Sequence, residues 1–236
     1  MGVLQSPLGS SEILSSLETP EFSLRERSKV AYPSVGAVLG DAGLGFDFST
    51  IPPQVLEKAR QRGNDVHEWV ERAALPGWEG WPIHVLSGVA PEDARVREMV
   101  DEVVELVKLA GFELCASEVP MHAPVELGEP VKALKGLCGV VDWTAVTRDD
   151  KPAVIDIKTS AKLERSWVGL QTMAYSMMVR HHALWLHEAR LPVVKRFVVH
   201  APYKGRAKLI KLTDDGDLDD LVGAVRIHAR KQRYGQ

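Results

Sequence analysis

The chain has 236 residues, 45 % hydrophobic and 26 % charged, enough to bury a full core and unlike the balance of disordered or fibrous chains. A net charge of −3 argues against a surface given over wholly to nucleic acid, and two cysteines, Cys115 and Cys138, are too few for a four-cysteine zinc or iron–sulfur centre. No apolar run approaches the roughly 18 residues of a membrane span, and residues 1–11 carry no leader pattern, which predicts a cytoplasmic protein with reduced core thiols.

Residues 1–30, rich in Ser, Leu and Glu without a sustained period, are expected to form a loose arm with one short helix near Glu12–Leu17. From residue 31 onward a single domain is predicted: a helical part over 31–110, a core over 111–212 and a closing helix within 213–236. Ser34 fits the N-cap of a helix over Val35–Leu39 that Gly43 stops. Val55, Leu56, Ala59, Val66, Trp69, Val70 and Ala73 recur at three- and four-residue steps, predicting a helix or helix pair over Pro53–Leu75, interrupted or bent near Gly63. A turn-rich aromatic loop with Trp78 and Trp81 follows. The next helix is expected to begin with Pro91 in its first turn, to bury Val96, Met99, Val100, Val103 and Val107, and to end at Ala110 before Gly111.

The period then changes. Glu113–Met121, Gly136–Val146 and Ala153–Ile157 read as three strands of an antiparallel meander. Helix returns over Ser166 to about Arg190, Val193–His200 and Ala207–Leu212 read as a hairpin, and Asp217–Arg233 as a closing helix. The fold class is therefore α/β, a central mixed sheet with an antiparallel meander flanked by helices.

Chemistry concentrates on the second and third strands. On Val154–Lys158 the side chains of Asp156 and Lys158 share one face while Ile155 and Ile157 take the other, and Gly139-Val140-Val141-Asp142 brings a second carboxylate alongside. An Asp-x-Lys tripeptide arises by chance about once per ~300 positions, and a second copy, Asp149-Asp150-Lys151, lies in a polar run before Pro152 that reads as a solvated hairpin turn. Asp156 and Lys158 differ in being embedded in an apolar strand, where charges need a partner or a function. Hydrolysing a phosphodiester requires charge neutralisation and an activated water, which two divalent ions held by carboxylates about 4 Å apart supply. Asp142 and Asp156, with the carbonyl of Ile157, are the candidate ligands for Mg²⁺ or Mn²⁺, and Lys158 the candidate for orienting water or stabilising developing charge.

Gly-x-x-Asp, then Asp-x-Lys ending an apolar strand, then Gln171-x-x-x-Tyr175 on the next helix, resembles the RecB-type and phage exonuclease branch of the PD-(D/E)XK nuclease superfamily, over roughly residues 31–212. The resemblance implies that His67, in Gly63-Asn64-Asp65-Val66-His67-Glu68, and Glu118 ligate metal, and that Gln171 and Tyr175, beside Trp167 on one helix face, support the lysine or contact the nucleic-acid backbone. It implies a metal-dependent deoxyribonuclease of the restriction-endonuclease-like fold, an exonuclease in recombination, repair or phage DNA processing. No iron–sulfur cluster is expected, because its four cysteines are missing. DNA is the implied partner, with a recombination or single-strand-annealing protein and self-association into a DNA-enclosing ring as further expectations. Lys195, Arg196, Lys204, Arg206 and Lys208 form the predicted nucleic-acid surface, Trp167 adding an aromatic contact. The alternative is a catalytically silent module that binds DNA ends or a protein partner on the same fold.

Two other features invite a functional reading and are set aside. The acidic run Asp214–Asp220 lacks the alternating ligands of a calcium loop and suits a helix N-terminus, and His181, His182 and His187 lack metalloprotease spacing and are expected to face solvent.

Overall fold

The computed structural model describes residues 32–45, 48–73, 93–123, 136–187, 193–214 and 216–235. The expected arm with its helix near residues 12–17, the loop with Trp78 and Trp81, and Pro91 lie outside the described residues. The elements run α1 (Val35–Asp41), α2 (Pro53–Ala73), α3 (Ala94–Ala110), β1 (Glu113–Ala123), β2 (Leu137–Val146), β3 (Pro152–Lys158), α4 (Arg165–His187), β4 (Lys195–His200), β5 (Lys208–Leu212) and α5 (Asp217–Tyr234).

The five strands form one sheet in the order β1-β2-β3-β4-β5. β1, β2 and β3 are the antiparallel meander, α4 carries the chain over to β4, which pairs parallel with β3, and β5 returns antiparallel as a hairpin. Both faces are covered. One core gathers Val35, Val38 and Leu39 of α1 with Leu170, Ala174 and Met178 of α4 and Leu221 and Val225 of α5. The other gathers Val66 and Val70 of α2 with Val96, Met99, Val100 and Val103 of α3 against Trp143, Ile155 and Ile157. Sandwiching explains why β3 is apolar from Pro152 to Ile155 and again at Ile157, since six of its seven residues, all but Lys158, are buried, the charged Asp156 among them.

Local signals account for the ends. Ser34 Oγ accepts the Ala37 N–H at 3.1 Å, and Gly43, at φ +75°, follows the C-cap Ala42. Asp93, rather than a proline, caps α3 by accepting from the Arg95 and Val96 N–H groups, and Gly111 closes it at φ 71°. α2 runs through Gly63 as one helix, so the expected interruption there does not occur. The glycine permits close approach: a Cβ there would lie 3.1 Å from Thr159 Oγ1, just past Lys158.

Candidate metal centre and its surroundings

The β2–β3 ladder stops at Trp143↔Ile155, so Asp142 and Asp156 sit at the first position beyond it, where the strands fork. A fork leaves backbone donors without a partner strand, and Asp142 Oδ2 takes one, accepting the Ile157 N–H at 2.6 Å. Its other oxygen, Oδ1, lies 3.8 Å from His67 Nδ1 on α2, and Glu118 Oε1 of β1 lies 3.6 Å from the same nitrogen. His67, Glu118 and Asp142 thus offer three ligand atoms within 4.8 Å of one another.

Two strands are distorted to make this possible. Val119, Met121 and Ala123 pack into the α4-side core, as a period of two requires, yet so does Ala116, which is out of phase with them. On β2, Val141 belongs to the α4-side core while Trp143, two residues on, belongs to the α2–α3 side. The phase flips at Glu118 on one strand and Asp142 on the other, between the register pairs Ser117↔Trp143 and Val119↔Val141. Glu118 takes a left-handed backbone, φ 48°, a conformation that costs a non-glycine residue about 1 kcal/mol or more and re-aims its side chain. Backbone strain therefore coincides with one of the three clustered candidate ligands, Glu118.

Beside them Asp156 is 1 % exposed, and Lys158 Nζ donates to its Oδ1 at 2.9 Å while lying 2.7 Å from Oδ2, an oxygen with no aligned donor. Burial and the Asp156 charge push the Asp142 carboxyl up to about 7, against the opposing pull of His67, Lys158 and the Ile157 N–H. Burial pulls His67 down, but Glu118 and Asp142 outweigh it and the imidazole ends above its ordinary value. Lys158 behaves likewise: burial disfavours its charge, the two aspartates restore it, and it is held protonated. The donor set suits a divalent ion, with carboxylate oxygens, one imidazole and an excess of buried negative charge that a dication would relieve. Ile157 touches this centre through its N–H.

Gln171 and Tyr175 lie one turn apart on α4, and Gln171 Nε2 donates to the tyrosine Oη at 2.8 Å. Burial, then the charges of Asp156 and Asp142, raise the Tyr175 hydroxyl, so it remains a neutral donor facing the acidic centre. Gly139 makes room for the ring, since a Cβ there would come within 2.7 Å of Tyr175 Cε1. One acidic residue escaped the sequence reading. Glu71 follows His67 by one helical turn and is raised by burial, then by Glu118 and Glu68, so it faces the same acidic cluster. Its spacing from His67 was the available signal.

The expected nucleic-acid surface divides. Arg196 is withdrawn from it: the side chain is buried, bonds Asp217 Oδ2 at 2.5 Å and the carbonyls of Gly169 and Asp214, and ties β4 to α4 and α5. Lys195 is half-buried and donates to both oxygens of Asp149 at 2.6 Å. Lys204, Arg206 and Lys208 are exposed. Lys208 continues a row across the sheet from the centre, through the register pairs Lys158↔His200 and His200↔Lys208. Trp167 is half-buried and packs on the α4-side core beside Gly45. His182, expected in solvent, is buried against His122, whose backbone N–H reaches its Nε2 at 3.4 Å, and burial with the neighbouring imidazoles lowers it to about 4. His182 lies on the face of α4 that packs on β1, and this contact takes the imidazole out of solvent. Among the described residues, no helix is long and apolar enough to cross a membrane.

The sequence model of the PD-(D/E)XK nuclease superfamily matches residues 43–233. No curated protein matches. Among solved structures, the crystal structure of SSO0001 is similar at 14 % identity over 94 % of this chain and 85 % of that one, with a TM-score of 0.37, from which nothing about function follows.

Proposed function

The chain belongs to the PD-(D/E)XK nuclease superfamily, and from that premise we propose that it is a Mg²⁺- or Mn²⁺-dependent deoxyribonuclease of the RecB-like branch, acting as an exonuclease on DNA ends in recombination, repair or phage DNA processing. The observation that carries the proposal is the meeting of His67, Glu118 and Asp142 within 4.8 Å, beside the buried Asp156–Lys158 pair. His67, Glu118, Asp142 and Asp156, with the backbone carbonyl rather than the N–H of Ile157, would hold the ion. A divalent ion there supplies Lewis acidity to a phosphoryl oxygen and lowers the pKa of bound water.

The residues divide the remaining work. Asp142 anchors one oxygen on the Ile157 N–H and keeps the other toward His67, so its carboxylate plane is fixed before any ligand arrives. Lys158 stays charged beside Asp156, which suits it to stabilise negative charge developing on phosphate rather than to remove a proton from water. Gln171 and Tyr175 wall the opposite side from α4, and Lys204, Arg206 and Lys208 would take flanking phosphates.

The test incubates linear and closed-circular DNA, single- and double-stranded, with Mg²⁺ or Mn²⁺, beside Asp142→Ala. We expect linear DNA to be consumed from its ends by the native protein alone. Cut circles would overturn the exonuclease reading, and intact DNA under every condition would overturn the nuclease reading.

A further inference from the structure

The loop between β4 and β5, residues 201–207, leaves the sheet beside Lys158: the Ala201 N–H donates to the Lys158 carbonyl at 2.8 Å, and His200 Nε2 contacts the Ser160 carbonyl at 2.8 Å. Exposed connecting loops ordinarily satisfy their own backbone through turns and solvent, whereas this one is held from outside. Arg95 of α3 donates to the carbonyls of Pro202 at 3.2 Å, Tyr203 at 2.9 Å and Gly205, and is itself braced by Glu98 and Glu102. Glu102 Oε2 in turn accepts the Ala207 N–H at 2.8 Å. One guanidinium thus fixes three of the loop's carbonyls, and one carboxylate closes its far end.

The fixed loop presents a particular set of groups. Tyr203 is 36 % exposed, with the Arg62 guanidinium 4.3 Å over its ring, and Arg62 precedes Gly63, the residue that abuts Thr159 next to Lys158. Lys204 and Arg206 follow the tyrosine in the same loop, are exposed, and have no ion pair among the described residues, unlike Lys195, Arg196, Arg60 and Arg72, each of which has a carboxylate partner. An aromatic ring oriented by a cation on one side, followed in the loop by two exposed cations and rooted beside Lys158, is a stacking platform for a base with grips for the adjoining phosphates.

Resting on the nuclease reading, we propose that residues 201–207 form a preformed platform on which Tyr203 stacks an unpaired base next to the scissile phosphodiester, Lys204 and Arg206 hold the flanking phosphates, and Arg95 is the positioning residue. The substrate class that follows is a strand with an unpaired base at the point of cleavage, a single strand or a frayed end, in preference to a blunt duplex.

The test measures binding without cleavage. Single-stranded and blunt duplex DNA of equal length, each with 2-aminopurine near one end, are titrated with the full chain in EDTA, comparing the native protein with Tyr203→Ala, Tyr203→Phe and Arg95→Met. Loss of one stacked base corresponds to about a 5- to 150-fold weaker Kd. We expect that loss for Tyr203→Ala on the single strand, with its 2-aminopurine quenching abolished, retention of both by Tyr203→Phe, and little change on the blunt duplex. In a separate cleavage assay with Mn²⁺, Arg95→Met should raise KM for single strands while leaving kcat within about twofold, since Arg95 orders the loop without touching the reacting atoms. Equal weakening on single strand and duplex, or unchanged quenching in Tyr203→Ala, would overturn the proposal. Native protein that stacks the base but cuts no DNA with either metal would overturn the nuclease reading alone.

Discussion

Asp156-Ile157-Lys158 and Asp149-Asp150-Lys151 carry the same tripeptide pattern a few residues apart, and the fold treats them in opposite ways. The second forms the β2–β3 turn, with Asp150 at φ 52°. Asp149 is solvent-facing, and hydrogen bonding from Lys195 and Thr147 lowers its carboxyl to about 2. It is a satisfied acid. Asp156 is buried beside a second carboxylate, and the Asp142 partner is pushed up to about 7. Complementary pairing at the surface gives a staple, whereas like charges converging in a buried fork give a site that gains by admitting a cation.

The largest effect should come from separating the twins chemically. Lys158→Met, assayed for DNA cleavage under saturating Mn²⁺, is expected to lose about 10² to 10³ in rate through the missing charge stabilisation, whereas Lys151→Met should match the native protein. Equal losses would erase the distinction drawn between them.

A second pair of charges sharpens the comparison from the structural side. Arg196 and Asp217 are buried as the acidic centre is, but opposite charges satisfy each other there. Arg196→Met strands a buried aspartate and should cost about 3–5 kcal/mol in chemical unfolding, with much of it recovered in the double variant Arg196→Met/Asp217→Leu. If Arg196→Met instead left stability intact and weakened DNA binding, the residue would belong to the nucleic-acid surface after all.

The smallest of these effects is a pH dependence. Asp142 is raised above its ordinary 3.8, so the folded protein binds the extra proton and stability without metal falls as pH climbs from about 4 through 7. His67, also raised, contributes stability that is complete below 6.5 and lost as pH rises through its folded value. Both groups must release protons to bind metal, so affinity for Mn²⁺ should weaken by up to about a hundredfold per pH unit once both are protonated. The gain in Tm on adding Mn²⁺ should accordingly be larger at pH 8 than at pH 6, and a gain independent of pH would place the ion elsewhere.

Much of this architecture is legible in the chain because periodicity reports burial. Ala153 to Ile157 read as an apolar strand, and the steps from Val96 to Val107 as one helix face, since those patterns follow directly from what each element packs against. The phase flip at Glu118 and Asp142 is not legible, because a single left-handed residue leaves no trace in a hydrophobic pattern. Arg196 was misread for a related reason: a Lys-Arg pair looks like surface until its buried partner, 21 residues downstream, is known. Arg95 and Tyr203 meet only through tertiary contact between α3 and the β4–β5 loop, and no local signal links them.

Forked strands that build a metal centre should bind Mn²⁺ where the surface twin does not. Calorimetric titration of Mn²⁺ at pH 8 into the native protein, Asp142→Asn and Asp149→Asn tests it most directly. The account predicts one class of site in the native protein and in Asp149→Asn, weakened at least tenfold in Asp142→Asn. Identical binding by all three proteins would contradict it.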